Sequence, residues 1–318
     1  MQRQLLLKRK RHSMDKRLLA LLAAIGATTI YGLNHTIMKV IMPDYIGPYG
    51  LVLLRVITAS ILFGGLSFFY PTEKIEREDY LRIFAATAFG MCLNMVFFIR
   101  GLSLSTPINS SVIITIMPII VMLLSWIFLK EKITLMKFMG IVLGFGGALI
   151  LVLYGSSFTK NAPNIPLGNA MMLINAFSYG AYLVIMKPIT KKYQVITLMK
   201  WMFPLGVLMN LPFGTKELLA VEWQLLPWDA LWRIGFVLLF TTFFAYLLNM
   251  YALIEVPPTT IGVLTYVQPI IAIFYSTFTG NDQMDFVKST ATILVFAGVY
   301  LVTKRVQESK QLENKKGS

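Results

Sequence analysis

Long apolar stretches separated by short polar segments dominate the chain, and each has about the length of a membrane-spanning helix. A bilayer core about 30 Å thick needs roughly 20 apolar residues in helical conformation. No apolar stretch alternates with polar residues over a long distance, so the pattern disfavours a β-barrel. The pattern predicts ten helical spans, at 18–38, 49–70, 83–103, 108–129, 137–155, 167–187, 195–213, 233–254, 259–279 and 286–303.

An internal repeat divides these spans into two equal sets. With a shift of 148 positions, YGLNHTIMKVIMPDY (31–45) matches YGAYLVIMKPITKKY (179–193) at seven of fifteen positions. With a shift of 151, PINSSVIITIMPII (107–120) aligns with PTTIGVLTYVQPII (258–271), and both prolines of each segment coincide. The chain is therefore predicted to be a duplication with five spans in each half.

Five is an odd number, so the second half must enter the membrane from the opposite side. The predicted fold class is an all-α membrane protein with ten transmembrane helices in two inverted five-helix repeats, an architecture typical of secondary transporters. We expect four segments: a basic N-terminus at 1–17, the first repeat at 18–155, the second repeat at 167–303 and a tail at 304–318.

The positive charges support the same topology. If the N-terminus is cytoplasmic, 21 of the 29 Lys and Arg residues lie in inside segments, 4 lie outside and 4 lie within spans. By the positive-inside rule, this bias predicts a multi-pass protein of the cell (inner) membrane with both termini in the cytoplasm. The net charge of +14 is then a topology signal. The expected partners are the lipid bilayer and a small-molecule solute, and not nucleic acid.

Composition excludes most kinds of catalytic or metal centre. Hydrophobic residues make up 56% of the chain and charged residues only 14%, too few for the exterior of a soluble domain. Cys92 is the single cysteine, and the two histidines are His12 and His35. The chain has no HExxH, GxSxG or Walker motif. We therefore expect no enzymatic activity, no metal and no cofactor.

Four basic residues within or at the ends of spans are candidate functional groups. Lys39 and Lys187 close spans one and six at duplicated positions, either as snorkelling lysines or as charges near a gate. A charge at membrane depth costs about 2.5–3.5 kcal/mol or more unless it faces protein or water. Arg55 and Arg100 are therefore interpreted either as anion contacts or as structural partners of backbone carbonyls.

The same depth contains neutral polar residues but no acidic ones. Because a polar side chain in hydrocarbon needs a partner, each could form an interhelical hydrogen bond. As a set, however, they indicate a hydrated substrate-binding cavity. The candidates are Asn34, Asn94, Asn175, Tyr179, Asn249, Tyr266 and Gln268, with Lys39, Arg55 and Arg100 as the charged members.

Proline and glycine positions predict how the helices bend and pack. Pro118 and Pro269 lie mid-span at equivalent places in the two halves, so we expect both to kink their helices around the cavity and, with Lys187, to serve in gating. Gly140, Gly144 and Ala148 recur at four-residue spacing and predict a close-packing helix face.

Three segments resemble EamA-type permeases of the drug/metabolite transporter superfamily, and the resemblance covers nearly the whole chain. YGLNHTIMK in span one is similar to that family's aromatic-Gly-x-Asn…Lys pattern, and LVLLRVITASILF places Arg55 like its span-two arginine. The most specific match is IMPIIVMLLSWIFLKEKITLMKFMGIVLGFGGALI, with Glu131 and Gly140. In the second half, Asp282 aligns with Glu131, Ala291 with Gly140, and Tyr182 with Asn34.

The resemblance implies a ten-helix protein with a central cavity that works by alternating access. It also implies carriage of small metabolites such as amino acids or related compounds, often as export. Two other classes compete with this interpretation. A membrane-embedded enzyme or lipid flippase-like protein would need a polar cluster at the interface, and a passive channel would need rings of charge along a pore.

Overall fold

The computed structural model describes residues 2–71, 73–105, 113–154, 164–278 and 286–316, and these ranges contain helices and no strands. The helices of the first repeat are α1 (Gln2–Ile41), α2 (Pro48–Leu66), α3 (Tyr80–Thr87), α4 (Asn94–Leu104), α5 (Met117–Leu129) and α6 (Leu135–Tyr154). Those of the second are α7 (Ile165–Ile189), α8 (Val195–Leu219), α9 (Trp228–Phe236), α10 (Ala245–Glu255), α11 (Pro258–Leu264), α12 (Val267–Phe278) and α13 (Phe286–Lys316).

Two π-helical segments and three short 3-10 turns complete the described secondary structure. The π segments are Ala88–Leu93, which joins α3 to α4, and Val237–Phe244, which joins α9 to α10. The 3-10 turns are Ser67–Phe69, Arg77–Asp79 and Trp223–Leu225. Each π segment thus lies within the third span of its repeat, so the interruption itself is duplicated.

Within the described ranges, six continuous helical stretches are long and apolar enough to cross a membrane. They are Lys16–Asn34, Pro48–Phe69, Arg77–Leu104, Pro166–Ile189, Val195–Leu219 and Trp228–Glu255. Shorter apolar helices occupy Met117–Leu129, Leu135–Gly147 and Ser289–Val302. The helix order follows the predicted spans, and the chain is an all-α membrane protein.

Contacts between the two halves are related by a pseudo-two-fold axis. Helix α1 packs against α10 and α12, and its counterpart α7 packs against α4 and α5. The second helices of the repeats, α2 and α8, pack against each other, as do the fifth helices α6 and α13. Because each repeat has an odd number of spans, this exchange of partners is the arrangement expected of inverted repeats.

The contact between α6 and α13 shows the symmetry at the level of single residues. A Cβ atom on Gly140 would lie 2.8 Å from the Gly298 oxygen, and one on Gly147 would lie 2.7 Å from the Ala291 oxygen. Under the 151-residue shift, Gly140 corresponds to Ala291 and Gly147 to Gly298, so the two contacts are equivalent. The predicted glycine face packs as expected at Gly140, whereas Gly144 faces Tyr266. The side chain of Ala148 lies outside the described residues.

The fourth and ninth spans are broken where the sequence predicted continuous, kinked helices. The backbone forms turns at 115–116 and 265–266, immediately before α5 and α12 begin. Pro118 is the second residue of α5 and Pro269 is the third residue of α12. Proline lacks an N–H group and is tolerated in the first turn of a helix, where that group has no intrahelical partner. The prolines therefore mark starts of half-helices, and the kink expected at each is replaced by a break.

Candidate functional site

A cavity of about 80 Å³ lies within the bundle, between the two repeats. A water molecule needs roughly 10–15 Å³ on this scale, so the cavity has room for several waters or a small solute. Six of the ten residues that the sequence suggested for substrate binding line it: Asn34, Arg55, Asn94, Asn175, Tyr179 and Gln268. They come from five different spans, so only the assembled fold brings them together.

Arg55 is buried in this cavity, with 4% of its surface exposed. Its Nε group donates a hydrogen bond of 2.8 Å to Thr242 Oγ1, in the π segment of the opposite repeat. None of the ion pairs found within the described ranges involves Arg55. The guanidinium is thus oriented by a neutral hydroxyl and keeps its full positive charge at the cavity.

The π segments supply backbone and side-chain partners for polar residues of the other repeat. Tyr246 Oη donates to the Gly90 carbonyl at 3.0 Å, and Asn210 Nδ2 donates to the Met91 carbonyl at 3.1 Å. In the second π segment, Thr241 Oγ1 donates to Asn34 Oδ1 at 3.1 Å. A π segment shifts the helical hydrogen-bond register and is frequently found at functional sites. Here both segments tie the cavity wall of one repeat to the other.

Asn94 and Asn175 form a similar link on the neighbouring wall. Asn175 Nδ2 donates to the Asn94 carbonyl at 2.9 Å, directly after the first π segment. Asn249 lies behind the lining, where its Nδ2 group donates to Tyr179 Oη at 2.8 Å. Asn249 therefore positions Tyr179 and is absent from the cavity lining. Tyr179 also lies close to Tyr182, with ring centroids 6.3 Å apart.

Two other candidates, Tyr266 and Arg100, lie away from the cavity. Tyr266 is buried in a separate apolar cluster with Val263 and Ile270, beside Gly144. The Arg100 guanidinium lies over the Tyr49 ring, 5.8 Å from its centroid. Lys39 belongs to α1, but its side chain lies outside the described residues. Tyr266 misses the cavity because the break at 265–266 turns it to the opposite side from Thr265, which does line it.

Lys187 caps a helix, a role that differs from the gate charge and the snorkelling lysine considered above. Its Nζ group donates to the carbonyls of Leu253, Ile254 and Val256, the last two at 3.2 and 2.9 Å. These carbonyls lie at the C-terminal end of α10, where backbone acceptors lack intrahelical donors and the helix dipole is negative. The lysine therefore fixes α7 to the end of α10.

Replacing Lys187 with methionine is expected to lower stability by about 2–4 kcal/mol, because several charge-assisted hydrogen bonds to buried carbonyls are lost. Lys191→Met is the matched control, since Lys191 is exposed in the loop that follows. Thermal unfolding of the purified protein in detergent checks this. Equal melting temperatures for the two variants would show that the capping contact contributes nothing.

Three polar lining residues were not among the sequence candidates: Tyr31, Thr241 and Thr265. Tyr246, which also lines the cavity, belongs to the polar residues that the sequence places at this depth. Tyr31 could have been found, because it aligns with Tyr179 in the 148-residue repeat and both line the cavity. Thr241 and Thr265 gave no such signal. Their positions depend on the π segment and the helix break, neither of which the apolar pattern predicts.

Glu131 connects the turn after α5 to the start of α11. One of its carboxylate oxygens accepts from Lys137 Nζ, and Oε2 accepts from Thr259 Oγ1 at 2.6 Å. The turn itself is made by Lys130, whose φ of 52° gives the left-handed conformation that ends a helix. The residue of the family motif thus holds together the half-helices of both repeats.

On the face formed by the loops at 70–79 and 190–194, an ion network joins the two repeats. Lys192 Nζ binds Asp79 Oδ2 at 2.7 Å and also Glu76, and Tyr193 Oη lies 3.0 Å from the same Asp79 oxygen. The hydrogen bonds that Lys192 donates to Asp79 and Glu76 raise the pKa of Lys192. The same contact lowers the pKa of Asp79. The network is therefore stable at neutral pH, and it is lost in strong alkali when Lys192 loses its proton and in acid when Asp79 gains one.

Two apolar repeats around a shared polar cavity define a membrane transporter, and comparison with known proteins agrees. The model of the EamA-like transporter family matches residues 18–153 and 166–304. The chain therefore belongs to the EamA-like transporter family, and the resemblance seen in its motifs is confirmed.

Several relatives share most of their length with this chain. A protein of Archaeoglobus fulgidus named uncharacterized transporter is 27% identical over 277 residues, which is 87% of this chain and 96% of the relative. YetK of Bacillus subtilis, also named uncharacterized transporter, is 22% identical over 91% of this chain and 87% of its own. A WAT1-related protein of Arabidopsis thaliana is 22% identical over 88% of this chain and 78% of its own.

A solved crystal structure has a similar fold. It superposes with a TM-score of 0.72 at 14% sequence identity, over 94% of this chain and 99% of that one. At this identity the likeness concerns the fold alone, and it extends over both repeats.

Proposed function

We propose that this protein is a secondary transporter that moves a small organic metabolite, such as an amino acid or a related compound, across the cell membrane by alternating access. The observation that supports this most directly is the cavity lined by both repeats, with Arg55 buried in its wall. A charge at this depth is costly unless it faces protein or water. A solute-binding site would account for a charge at this position.

Alternating access needs two halves that can rock against each other around a fixed site. The pseudo-two-fold contacts of α1 and α7, and of α6 and α13, supply two such halves. With both termini in the cytoplasm, as the charge bias indicates, the loops joined by Lys192 lie on the inner side. The lining residues then lie at mid-depth or toward the outer side of their spans. We infer a conformation that is closed on the cytoplasmic side.

Solute flux in proteoliposomes tests the proposal. We expect radiolabelled solute to enter with saturation and to show counterflow, so that unlabelled solute inside the vesicle accelerates uptake of label. Candidate solutes are amino acids and related carboxylates. A passive channel would give linear flux without counterflow, and a flippase-like protein would move labelled lipid instead. Either outcome, or a chemically altered solute, would contradict the proposal.

A further inference from the structure

Within the described part of the chain, Arg55 is the single charged residue in the cavity lining. The other polar members are amides, hydroxyls and phenols. The cavity therefore has a net positive charge that no protein group neutralises. Because Nε is used by Thr242, the two Nη groups are the part of the guanidinium left to bind a ligand. That edge of an arginine matches the two oxygens of a carboxylate.

Several acceptors at or near the cavity are already engaged. At the break before α5, the Ile113 carbonyl accepts from Ile116 N at 3.0 Å. At the break before α12, the Gly262 carbonyl accepts from Thr265 N at 3.0 Å. Asn34 Oδ1 accepts from Thr241, as described above. Asn175 Oδ1 has no hydrogen-bond partner among the described residues, and the atom is buried.

The half-helices add to the positive character of the site. Helices α5 and α12 both begin at the cavity, with Met117 and Gln268 in the lining. The N-terminal end of a helix has a partial positive charge, and broken helices in transporters direct such ends toward anionic groups. Together with Arg55, these two ends favour a ligand with one negative charge.

Beside these amides and hydroxyls, the lining has an apolar and aromatic part. This part of the lining consists of Met95, Phe98 and Ile114 and of the rings of Tyr31 and Tyr246. These surfaces suit the apolar body of a ligand, whereas a sugar or a second charged group would lose its water without replacement hydrogen bonds.

We propose that the cavity selects small organic monocarboxylates with an apolar body, bound through the Nη groups of Arg55, over zwitterions, amines and neutral amides. This proposal rests on the proposed transport function and, among the compounds named there, favours related carboxylic acids without an ammonium group over the amino acids themselves. A single carboxylate balances the single charge of Arg55. A phosphate or sulfate dianion would overcompensate it and leave a buried negative charge.

Four compounds that share one skeleton test this on the unmodified protein: 3-phenylpropanoate, 3-phenylpropanamide, phenylalanine and 2-phenylethylamine. In detergent at neutral pH, ligand binding raises the melting temperature by mass action. We expect 3-phenylpropanoate to bind about 10- to 100-fold more tightly than the other three, because they lack the carboxylate or add an ammonium group that the positive charge of Arg55 repels. Inorganic phosphate is the comparison anion and should not compete.

Arg55 variants identify the group responsible. Arg55→Gln should abolish the preference for the carboxylate over its amide. Arg55→Lys should retain part of it, because the charge remains without the two-point geometry. Arg100→Gln is the matched control, since Arg100 lies over Tyr49 outside the cavity, and it should retain the full preference. The comparison of ligands needs no variant and so is unaffected if Arg55→Gln fails to fold.

The proposal is wrong if the acid and the amide bind equally, or if phenylalanine or phosphate binds more tightly than the acid. It is also wrong if Arg55→Gln keeps the preference for the carboxylate. Counterflow distinguishes this failure from failure of the transport function. Saturable counterflow of a zwitterion without preference for acids would leave the transporter intact and refute the carboxylate site. Absence of counterflow for every solute would refute the transport function itself.

Discussion

Gly298→Ala should destabilise the protein by about 3 kcal/mol, one of the largest effects expected from adding a single carbon atom. The new Cβ atom would lie 2.5 Å from the Gly140 oxygen and 2.6 Å from the Gly144 nitrogen. Both obstacles are backbone atoms of α6, so no side-chain rotation can make room. Helices α6 and α13 would have to separate, with loss of the close packing that small residues allow within membranes.

Gly146→Ala is the matched control for this prediction. It places the same methyl group on α6, where nothing lies within 4 Å of the new atom. Because alanine is the better helix former, the control should be neutral or stabilising by up to about 1 kcal/mol. Thermal unfolding in detergent compares the two. If Gly298→Ala unfolds at the temperature of the unmodified protein, the close approach of α6 and α13 is incorrect.

Asp79→Asn should open the face on which Lys192 joins the two repeats. The Asp79 side chain is 1% exposed and binds Lys192 from the opposite repeat, so the substitution removes a charge-assisted contact across the interface. If the closed conformation loses about 1.5 kcal/mol of stability, the equilibrium between the closed and open conformations shifts roughly 10-fold. We therefore expect the fraction of molecules that are open on this face to increase.

Cysteine labelling measures this shift. Thr260 is fully buried near the start of α11, and its hydroxyl has no partner. In a Cys92→Ala background, Thr260→Cys should react slowly with an impermeant thiol reagent and about 10-fold faster when Asp79→Asn is added. Arg82→Gln is the control, because Arg82 binds Asp79 from the same repeat with 59% of its side chain exposed. Equal labelling rates in all three proteins would show that the network does not close this face.

Much of the fold could be predicted because membranes restrict the possible structures. With no water in the bilayer core, the apolar stretches had to be helices, and their order agrees with the structure. Duplication made the two five-helix halves recognisable, and the odd count required their inversion. The motif around Glu131 then placed the chain in its family, as the comparison confirms.

The candidate site was harder to predict because polarity alone does not show where a side chain points. Arg55 and Asn34 reach the cavity, whereas Arg100 and Tyr266 do not. Each of these side chains could have offset the cost of its burial either by facing the cavity or by bonding to a neighbouring helix. Lys187 illustrates this, since its partners are carbonyls 66 to 69 residues further along the chain.

The sequence by itself determined the membrane class, the duplicated helices and the family, because hydrophobic length, charge bias and repeated motifs are local or periodic properties. The tertiary structure alone decided which polar groups meet. Arg55 contacts Thr242, 187 residues further along the chain, because a π segment turns that hydroxyl inward. Thr265 and Gln268 line the cavity because α11 and α12 are separate helices. Such contacts depend on helix register and packing between the repeats, which no apolar pattern encodes.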